Sequence, residues 1–336
     1  MHRLEEERIF ARTWQYVGHA GQVSNPGDVF PVRLGRIPGV VVRDLGGELR
    51  ALVNVCRHRG SLVVDEPGNR RTLQCPYHAW TYELDGRLRS APRSEREASF
   101  DRSRLALVPL ALDAWGPFLF VNPDPDAAPL ADILGDLPAR VASAGVDVDG
   151  LSFHHRAEWE VAANWKLLCE NFLECYHCSI AHQGFSSLVD VSPDSYRLEA
   201  SEWFSSQYGP VRSDGTATYD AVGEVERGQF HLLWPNTCIN IFPGRPNLSI
   251  GPIMPTEPER TSRFLDYFFA SGTDESWIRD LLQFDDQVGR EDTILVERVQ
   301  LGVRSGVIPT GRLLEESEHL IAHFQRLVAA ALSDMT

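Results

Sequence analysis

The chain has 336 residues, enough for two domains with separate cores. At 43% hydrophobic and 24% charged it has an ordinary globular composition, and its net charge of −15 argues against nucleic acid as the main partner. No apolar run approaches the roughly 20 residues of a membrane span, and the opening MHRLEEERIFARTW is charged and amphipathic. Neither a membrane segment nor a signal peptide is expected, and a cytoplasmic location is.

In chain order, one short N-terminal helix precedes a stretch from 15 to 120 that reads as strands and turns. GVVVRDLGGELRALVNV is two apolar runs around Gly46-Gly47, a hairpin signal. TYELDGRLRS repeats it with Asp85-Gly86 at the turn, and WGPFLFVNP adds a strand. PDPDAAPLADILGDLP marks a domain boundary by its prolines and small residues. Beyond it a helix is expected over 164–183, then strands at QFHLLWP, TCINIFPG, LSIGPIMP and RFLDYFFA. Two helical stretches close the chain, ESWIRDLLQFDDQVGREDTILVERVQ and LLEESEHLIAHFQRLVAAAL.

Two constellations carry chemistry. The first, CRHRG and CPYHAW, sets Cys56 and His58 on one loop and Cys75 and His78 on another, with sixteen residues between His58 and Cys75. Two thiolates and two imidazoles hold either a tetrahedral zinc or a [2Fe–2S] cluster with the imidazoles on one iron. Structural zinc sites more often pair like with like, whereas each loop here offers one Cys and one His. The second is ENFLECYHCSIAH, residues 170–182, in which Glu174 precedes His177 by three positions and His182 follows it by five. A five-residue step leaves one face of a regular helix, so both imidazoles reach one metal only if the helix is deformed, as by a π-like insertion. Two histidines and one carboxylate form the facial set of mononuclear non-haem Fe(II) oxygenases. Asp285, Asp286, Glu291 and Asp292 lie on one later helix as candidate third ligands. The clustered cysteines read as reduced thiols, with Cys169, Cys175 and Cys178 as small buried fillers.

The C-x-H and C-x-x-H loops, with Gly60, Pro76, Tyr77 and Trp80, resemble the Rieske ferredoxin fold. NWKLLCENFLECYHCSIAH resembles the catalytic domain of Rieske non-haem iron oxygenase α subunits, and the likeness runs from WQYVGHA through LVERVQ. The resemblance implies an α+β chain. A small all-β Rieske domain would cover 12–124, and a helix-grip, START-like catalytic domain with an antiparallel sheet and long helices would cover 1–11 and 125–336. It implies a [2Fe–2S] cluster on Cys56, His58, Cys75 and His78, and a mononuclear Fe(II) on His177 and His182. EDTILVERVQLG resembles the family segment that supplies the third ligand, which selects Asp292; the other three acids are assigned to a solvated face. Ile294 and Leu295 are expected to seat this helix on the core. By the same resemblance Glu174 bridges to His78 across a homotrimer interface, and Asn171 lies close to the iron.

The implied activity is O2-dependent hydroxylation of a small organic molecule, electrons arriving one at a time through the cluster. No Gly-rich dinucleotide loop follows a strand, so NAD(P)H acts only through a separate reductase, with or without a ferredoxin. Arg57, Arg59, Arg70 and Arg71 offer it a basic rim. The wording is most similar to the branch acting on glycine betaine, stachydrine, carnitine and choline, where hydroxylation of an N-methyl group ends in demethylation. Trp203, Phe204, Tyr208, Phe230, Trp234 and Phe242 are candidate faces for such a cation. An aromatic acid is the rival substrate, and a non-catalytic electron-transfer or zinc-stabilised binding protein the rival class.

Overall fold

The computed structural model describes residues 1–213 and 219–333. It divides into two compact units, Glu5–Leu130 and Met1–Leu4 with Ala131–Thr336.

The chain starts with a short helix α1 (His2–Glu5), most of which belongs to the second unit; the first unit begins with a π turn at Glu6–Phe10 and is otherwise almost all β. Its strands are β1 (Gln15–His19), β2 (Asp28–Leu34), β3 (Ile37–Arg43), β4 (Leu49–Val53), β5 (Gly68–Asn69), β6 (Leu73–Gln74), β7 (Thr81–Tyr82), β8 (Leu88–Ser90), β9 (Pro109–Trp115) and β10 (Phe118–Asn122). Seven form an antiparallel sheet in the order β1-β10-β9-β4-β3-β2-β5, and β6-β7-β8 form a smaller one. The Gly46-Gly47 hairpin forms as expected between β3 and β4. Asp44 builds its turn by accepting from the Gly46 and Glu48 amides at 2.9 and 3.0 Å, and Gly47 takes the positive φ of 91° that the turn needs. Val29, Val40, Val42, Leu52 and Tyr82 are buried in a core that also receives Cys56 and Cys75.

The second unit opens with α2 (Leu130–Leu134) and α3 (Leu137–Ser143), then β11 (Leu151–Val161), α4 (Trp165–Phe172), α5 (Cys178–Ala181) and α6 (Gln183–Leu188). There follow β12 (Arg197–Ala200), β13 (Phe204–Pro210), β14 (Arg227–Leu233), β15 (Thr237–Ile241), β16 (Asn247–Glu257) and β17 (Arg260–Ala270), and last α7 (Glu275–Arg304) and α8 (His319–Leu332). The sheet runs β11-β17-β16-β15-β14-β13-β12, antiparallel throughout. The 30-residue α7 starts where Asp274 accepts from the Ser276 and Trp277 amides, and it lays Trp277, Ile278, Leu281 and Phe284 against Phe230, Phe242, Leu265 and Phe269 of one sheet face. This is the expected α+β, helix-on-sheet arrangement.

Two local expectations need correction. The chain over 164–183 is not one helix with an inserted residue but three segments. Asn164 caps α4; after Phe172 the Glu174 carboxylate takes the amides of Tyr176 and His177 at 2.5 and 3.2 Å, as a cap does, and starts a new segment. On α7, Ile294 is 53% exposed, and Val296 is buried in its place.

Candidate metal centres and cavity

The two loops of the first unit share one backbone design. In each, the cysteine amide donates to a carbonyl five residues on, Cys56 to Ser61 and Cys75 to Trp80, both at 2.8 Å. The residue four positions on donates back to the cysteine carbonyl, Gly60 at 3.1 Å and Ala79 at 3.0 Å, and both have positive φ. Ala79 holds that conformation at a cost of about 1–2 kcal/mol, a strain that the ring of hydrogen bonds maintains. Both thiols thereby point into the core, with Cys56 Sγ 3.3 Å from Tyr82 Oη, while both imidazoles stay exposed with ring centroids 4.6 Å apart. His58 stacks on Trp80 at 4.9 Å. Burial works to raise the Cys75 thiol, but the amides of Tyr77 and His78 and the adjacent Cys56 bring it below its ordinary value.

A buried pair of sulfurs facing an exposed pair of nitrogens suits a dinuclear cluster with two thiolates on its inner iron. A single zinc requires its donors to converge. Among the described residues, the only group of three or more His, Cys, Asp or Glu donor atoms found within 4.8 Å of one another is His177, His182 and Asp292. The division into an inward thiol pair and an outward imidazole pair favours the two-iron cluster over a single zinc.

In that second group, His177 Nε2 lies 3.1 Å from His182 Nε2, and Asp292 Oδ1 lies 3.0 Å from the latter and 3.4 Å from the former. An ion bound at about 2.1 Å to three mutually perpendicular donors separates them by about 3 Å, so the triangle fits one face of an octahedral site. The tautomers agree. His177 Nδ1 is bonded to Glu174 Oε1, and His182 Nδ1 lies 2.7 Å from Glu291 Oε2, so both Nδ1 atoms carry protons and both Nε2 lone pairs face the gap. Without a metal the site attracts protons instead. Burial works to lower His177, yet its bonds to Asp292 and Glu174 raise it to about 9; His182 is raised against burial in the same way. Burial would raise the Asp292 carboxyl, but the two histidines hold it well below the usual carboxylate range.

The neighbouring acids are not simply a solvated face. Glu291 orients His182, and Asp285 accepts from Tyr267 Oη at 2.5 Å; only Asp286, paired with Arg290 at 2.7 Å, points outward. Burial raises Asp285 to about 6, with the Tyr267 bond opposing it. Cys175 and Cys178 are joined in a disulfide rather than reduced, with Cα atoms 4.9 Å apart, because the chain turns sharply between α4 and α5. Cys169 and Cys238 are free and buried.

The triad borders a cavity of about 880 Å³ between sheet and helices, which Glu174 and Asn171 also line. Of the six aromatic candidates only Phe230 and Phe242 line it. Tyr208 belongs to the opposite face of β13, where Arg140 donates to its hydroxyl at 2.9 Å; Phe204 lies under the same guanidinium; Trp234 packs on Phe324 of α8; Trp203 is half-buried away from the cavity. The reason is pleating, which sends successive side chains to opposite faces, both of them buried. One cross-strand row, Gln207–Phe230–Asn240–Ser249–Tyr267–His155, crosses this face, and all of it but Ser249 lines the cavity together with Ala157, Trp159, Arg263 and Leu265. Gln207, Asn240 and Tyr267 were missed from the sequence, and Asp285, named there as a candidate ligand and assigned to a solvated face, lines the cavity instead. Asp285 had one signal, since it precedes Asp292 by two helical turns and shares its face.

Residues 13–107 match the Rieske [2Fe-2S] domain family, and residues 148–334 match the family described as ring hydroxylating alpha subunit (catalytic domain). With both sites in view, the chain belongs to the Rieske non-haem iron oxygenase α subunits: it is an oxidoreductase carrying a Rieske cluster and a mononuclear iron. It is 34% identical over 336 residues to the carnitine monooxygenase oxygenase subunit of Acinetobacter pittii (strain PHEA-2), covering 97% of this chain and 90% of that one. It is 32% identical over 341 residues to the chloroplastic choline monooxygenase of Arabidopsis thaliana, covering 97% and 78%. A solved quaternary ammonium Rieske monooxygenase, described for carnitine oxidation and inter-subunit electron transfer, superposes with a TM-score of 0.86 at 33% identity, covering 98% of this chain and 92% of that one. No helix among the described residues is long and apolar enough to cross a membrane.

Proposed function

We propose that this oxygenase hydroxylates a quaternary ammonium compound. The observation that carries the reading is the cavity beside the triad, where Phe185, Phe230, Phe242 and Tyr267 surround space into which Asp285 also projects. Aromatic faces with one enclosed carboxylate favour a compact cation that has no hydrogen-bond donor to satisfy. An aromatic acid would instead bring a second carboxylate into the cavity that Asp285 lines.

Residues 12–124 act as the electron-carrying domain, with Cys56, His58, Cys75 and His78 holding the cluster; residues 1–11 and 125–336 carry out the oxygenation, with His177, His182 and Asp292 holding the iron. When bound, the iron supplies O2 activation beside the substrate and the cluster supplies electrons singly. Glu174 and Glu291 fix the Nδ1 protons and so keep both Nε2 atoms available. Electrons come from a separate NAD(P)H-dependent reductase, docked at the exposed arginines beside the cluster loops. Glu174, anchored on His177, extends the path to His78 of a neighbouring subunit in a homotrimer. Hydroxylation of a carbon bonded to nitrogen gives a carbinolamine, which collapses to an amine and a carbonyl compound; formaldehyde identifies an N-methyl carbon as the one attacked.

The test is O2 consumption by the iron-loaded protein with a reductase and NADH. Carnitine or choline should stimulate it with stoichiometric carbonyl product. Stimulation by benzoate-like acids, and by neither quaternary compound, would overturn the reading.

A further inference from the structure

We propose that Cys175 and Cys178 form a dithiol–disulfide couple that consumes hydrogen peroxide in the cavity beside the metal triad, with Cys178 reacting first and Cys175 closing the bond. When two electrons and two protons reach O2 without oxygenation of a substrate, the product is peroxide, formed next to the metal ligands. The couple removes it before it oxidises His177, the ligand that the two cysteines bracket in sequence. The proposal rests on the oxygenase chemistry and is independent of which substrate the cavity takes.

The pair is part of the wall of the site. Cys175 and Cys178 are only 8% and 5% exposed, yet both line the cavity with His177 and His182, so a molecule as small as peroxide meets their sulfurs there. Cys178 Sγ lies 4.0 Å from His177 Nε2, the nitrogen that faces the metal gap, which makes it the first thiol in reach of peroxide formed at that gap. Backbone bonds hold the turn independently of the sulfurs. The Cys178 amide donates to the Cys175 carbonyl at 3.2 Å, and the Cys178 carbonyl accepts from the His182 amide at 2.9 Å and from the Ser186 hydroxyl at 2.8 Å. These bonds keep the two Cα atoms 4.9 Å apart, inside the roughly 4.4–6.8 Å that a disulfide spans. The bond can therefore open and close again while the backbone of both histidine ligands stays in place.

A purely structural staple explains the pair less well. The bridge joins residues three positions apart, and the stabilisation that a disulfide draws from closing a loop is least for so short a loop. The other thiols of this unit are poorly suited to react. Cys169 and Cys238 are buried and free; burial pushes Cys238 up to about 11 and moves Cys169 in the same direction. The chemistry balances in two steps. The Cys178 sulfur attacks peroxide, an S–O bond forms as the O–O bond breaks, and a sulfenic acid and one water result. The Cys175 sulfur then attacks that sulfenic acid, the S–S bond forms as the S–O bond breaks, and a second water leaves. Two thiols have given two electrons to one peroxide. An external dithiol reductant restores the pair by thiol–disulfide exchange and is itself oxidised to a disulfide.

The experiment takes the protein loaded with cluster and iron, reduces it with dithiothreitol under nitrogen, removes the reductant and adds one equivalent of hydrogen peroxide. Thiols are then alkylated in denaturant and located by peptide mass. Cys175 and Cys178 should lose their alkyl groups together, about one pair per peroxide, while Cys169 and Cys238 keep theirs. In Cys175→Ser the reaction should stop at a Cys178 sulfenic acid that dimedone captures. With both cysteines replaced by serine, oxidation of His177, a gain of about 16 Da placed by fragmentation, should rise roughly fivefold or more per peroxide. A bond that dithiothreitol cannot open in the folded protein would make the pair a staple and overturn the proposal. So would peroxide that oxidises Cys169, Cys238 or His177 of the wild type ahead of the pair, or His177 oxidation that the double replacement leaves unchanged. Should the double variant fail to load iron, the wild-type thiol count decides by itself.

Discussion

Glu291 Oε2 lies 2.7 Å from His182 Nδ1, while the next residue, Asp292, sets Oδ1 3.0 Å from Nε2 of the same ring. One turn of α7 thus supplies both a metal-facing oxygen and the carboxylate that aims the opposing imidazole. Glu291→Ala should weaken Fe(II) binding roughly 10- to 100-fold, as loss of a ligand-orienting partner does. Asp292→Ala should abolish it, and Asp286→Ala should leave it unchanged. Iron content after dialysis against a graded chelator separates the three; a dependence on Asp286 would mean that the wrong carboxylate has been chosen.

Metal affinity should depend on pH with a definite sign. In the metal-free protein His177 is raised to about 9, so its charged form contributes stability that is present below the ordinary histidine range and lost as pH rises through about 9. Iron takes the deprotonated ring. Apparent Fe(II) affinity should therefore fall by roughly tenfold for each pH unit below 8, and the Tm gained on iron loading should grow with pH. Calorimetric scans with and without iron at several pH values test this; a Tm gain that shrinks with pH contradicts it.

Asp285 carries a second pH signature. Burial raises it to about 6, so its neutral form stabilises the fold at low pH, and that contribution fades as pH rises through about 6. A bound cation requires the ionised form. The dissociation constant for a quaternary ammonium ligand should rise as pH falls below 6, and Asp285→Asn should remove the dependence and weaken binding by about tenfold at neutral pH. Unaltered pH dependence in Asp285→Asn would detach this carboxylate from cation binding.

Glu174→Gln tests the electron path apart from the iron. The amide oxygen can keep the bond to His177 Nδ1 while the cap on the Tyr176 and His177 amides is lost, so iron content and the visible cluster spectrum should survive, with stability reduced by about 1 kcal/mol. Reoxidation of the reduced cluster on mixing with O2 and substrate should stall. Normal reoxidation in a single turnover, or loss of iron, would each remove Glu174 from the bridge. In contrast, Cys56→Ser should lose the cluster spectrum and keep mononuclear iron.

The disulfide gives a chemical count. Of the six cysteines, Cys175 and Cys178 are paired and four are free. Metal-free protein denatured without reductant should take four alkylating groups by mass, and six after reduction. Six without reduction would place both thiols in the reduced state.

Much of this protein is local information. Cys56 with His58 and Cys75 with His78 each sit within one turn of chain, so spacing alone determines which donors share a loop, and the Gly46-Gly47 and Asp85-Gly86 turns specify their hairpins by backbone conformation. His177 and His182 were legible for the same reason, although the path between them was not: whether a helix bulges or restarts depends on Glu174 reaching the Tyr176 and His177 amides. The remainder lay in contacts distant in sequence. Four acids on α7 look alike until packing turns Asp292 and Glu291 toward His182, Asp285 toward Tyr267, and Asp286 toward solvent. The aromatic residues of β13 and β14 alternate between two faces that are both buried, so hydropathy does not reveal which face borders the cavity and which the core; only the register of the assembled sheet decides that Phe230 lines it and Tyr208 does not.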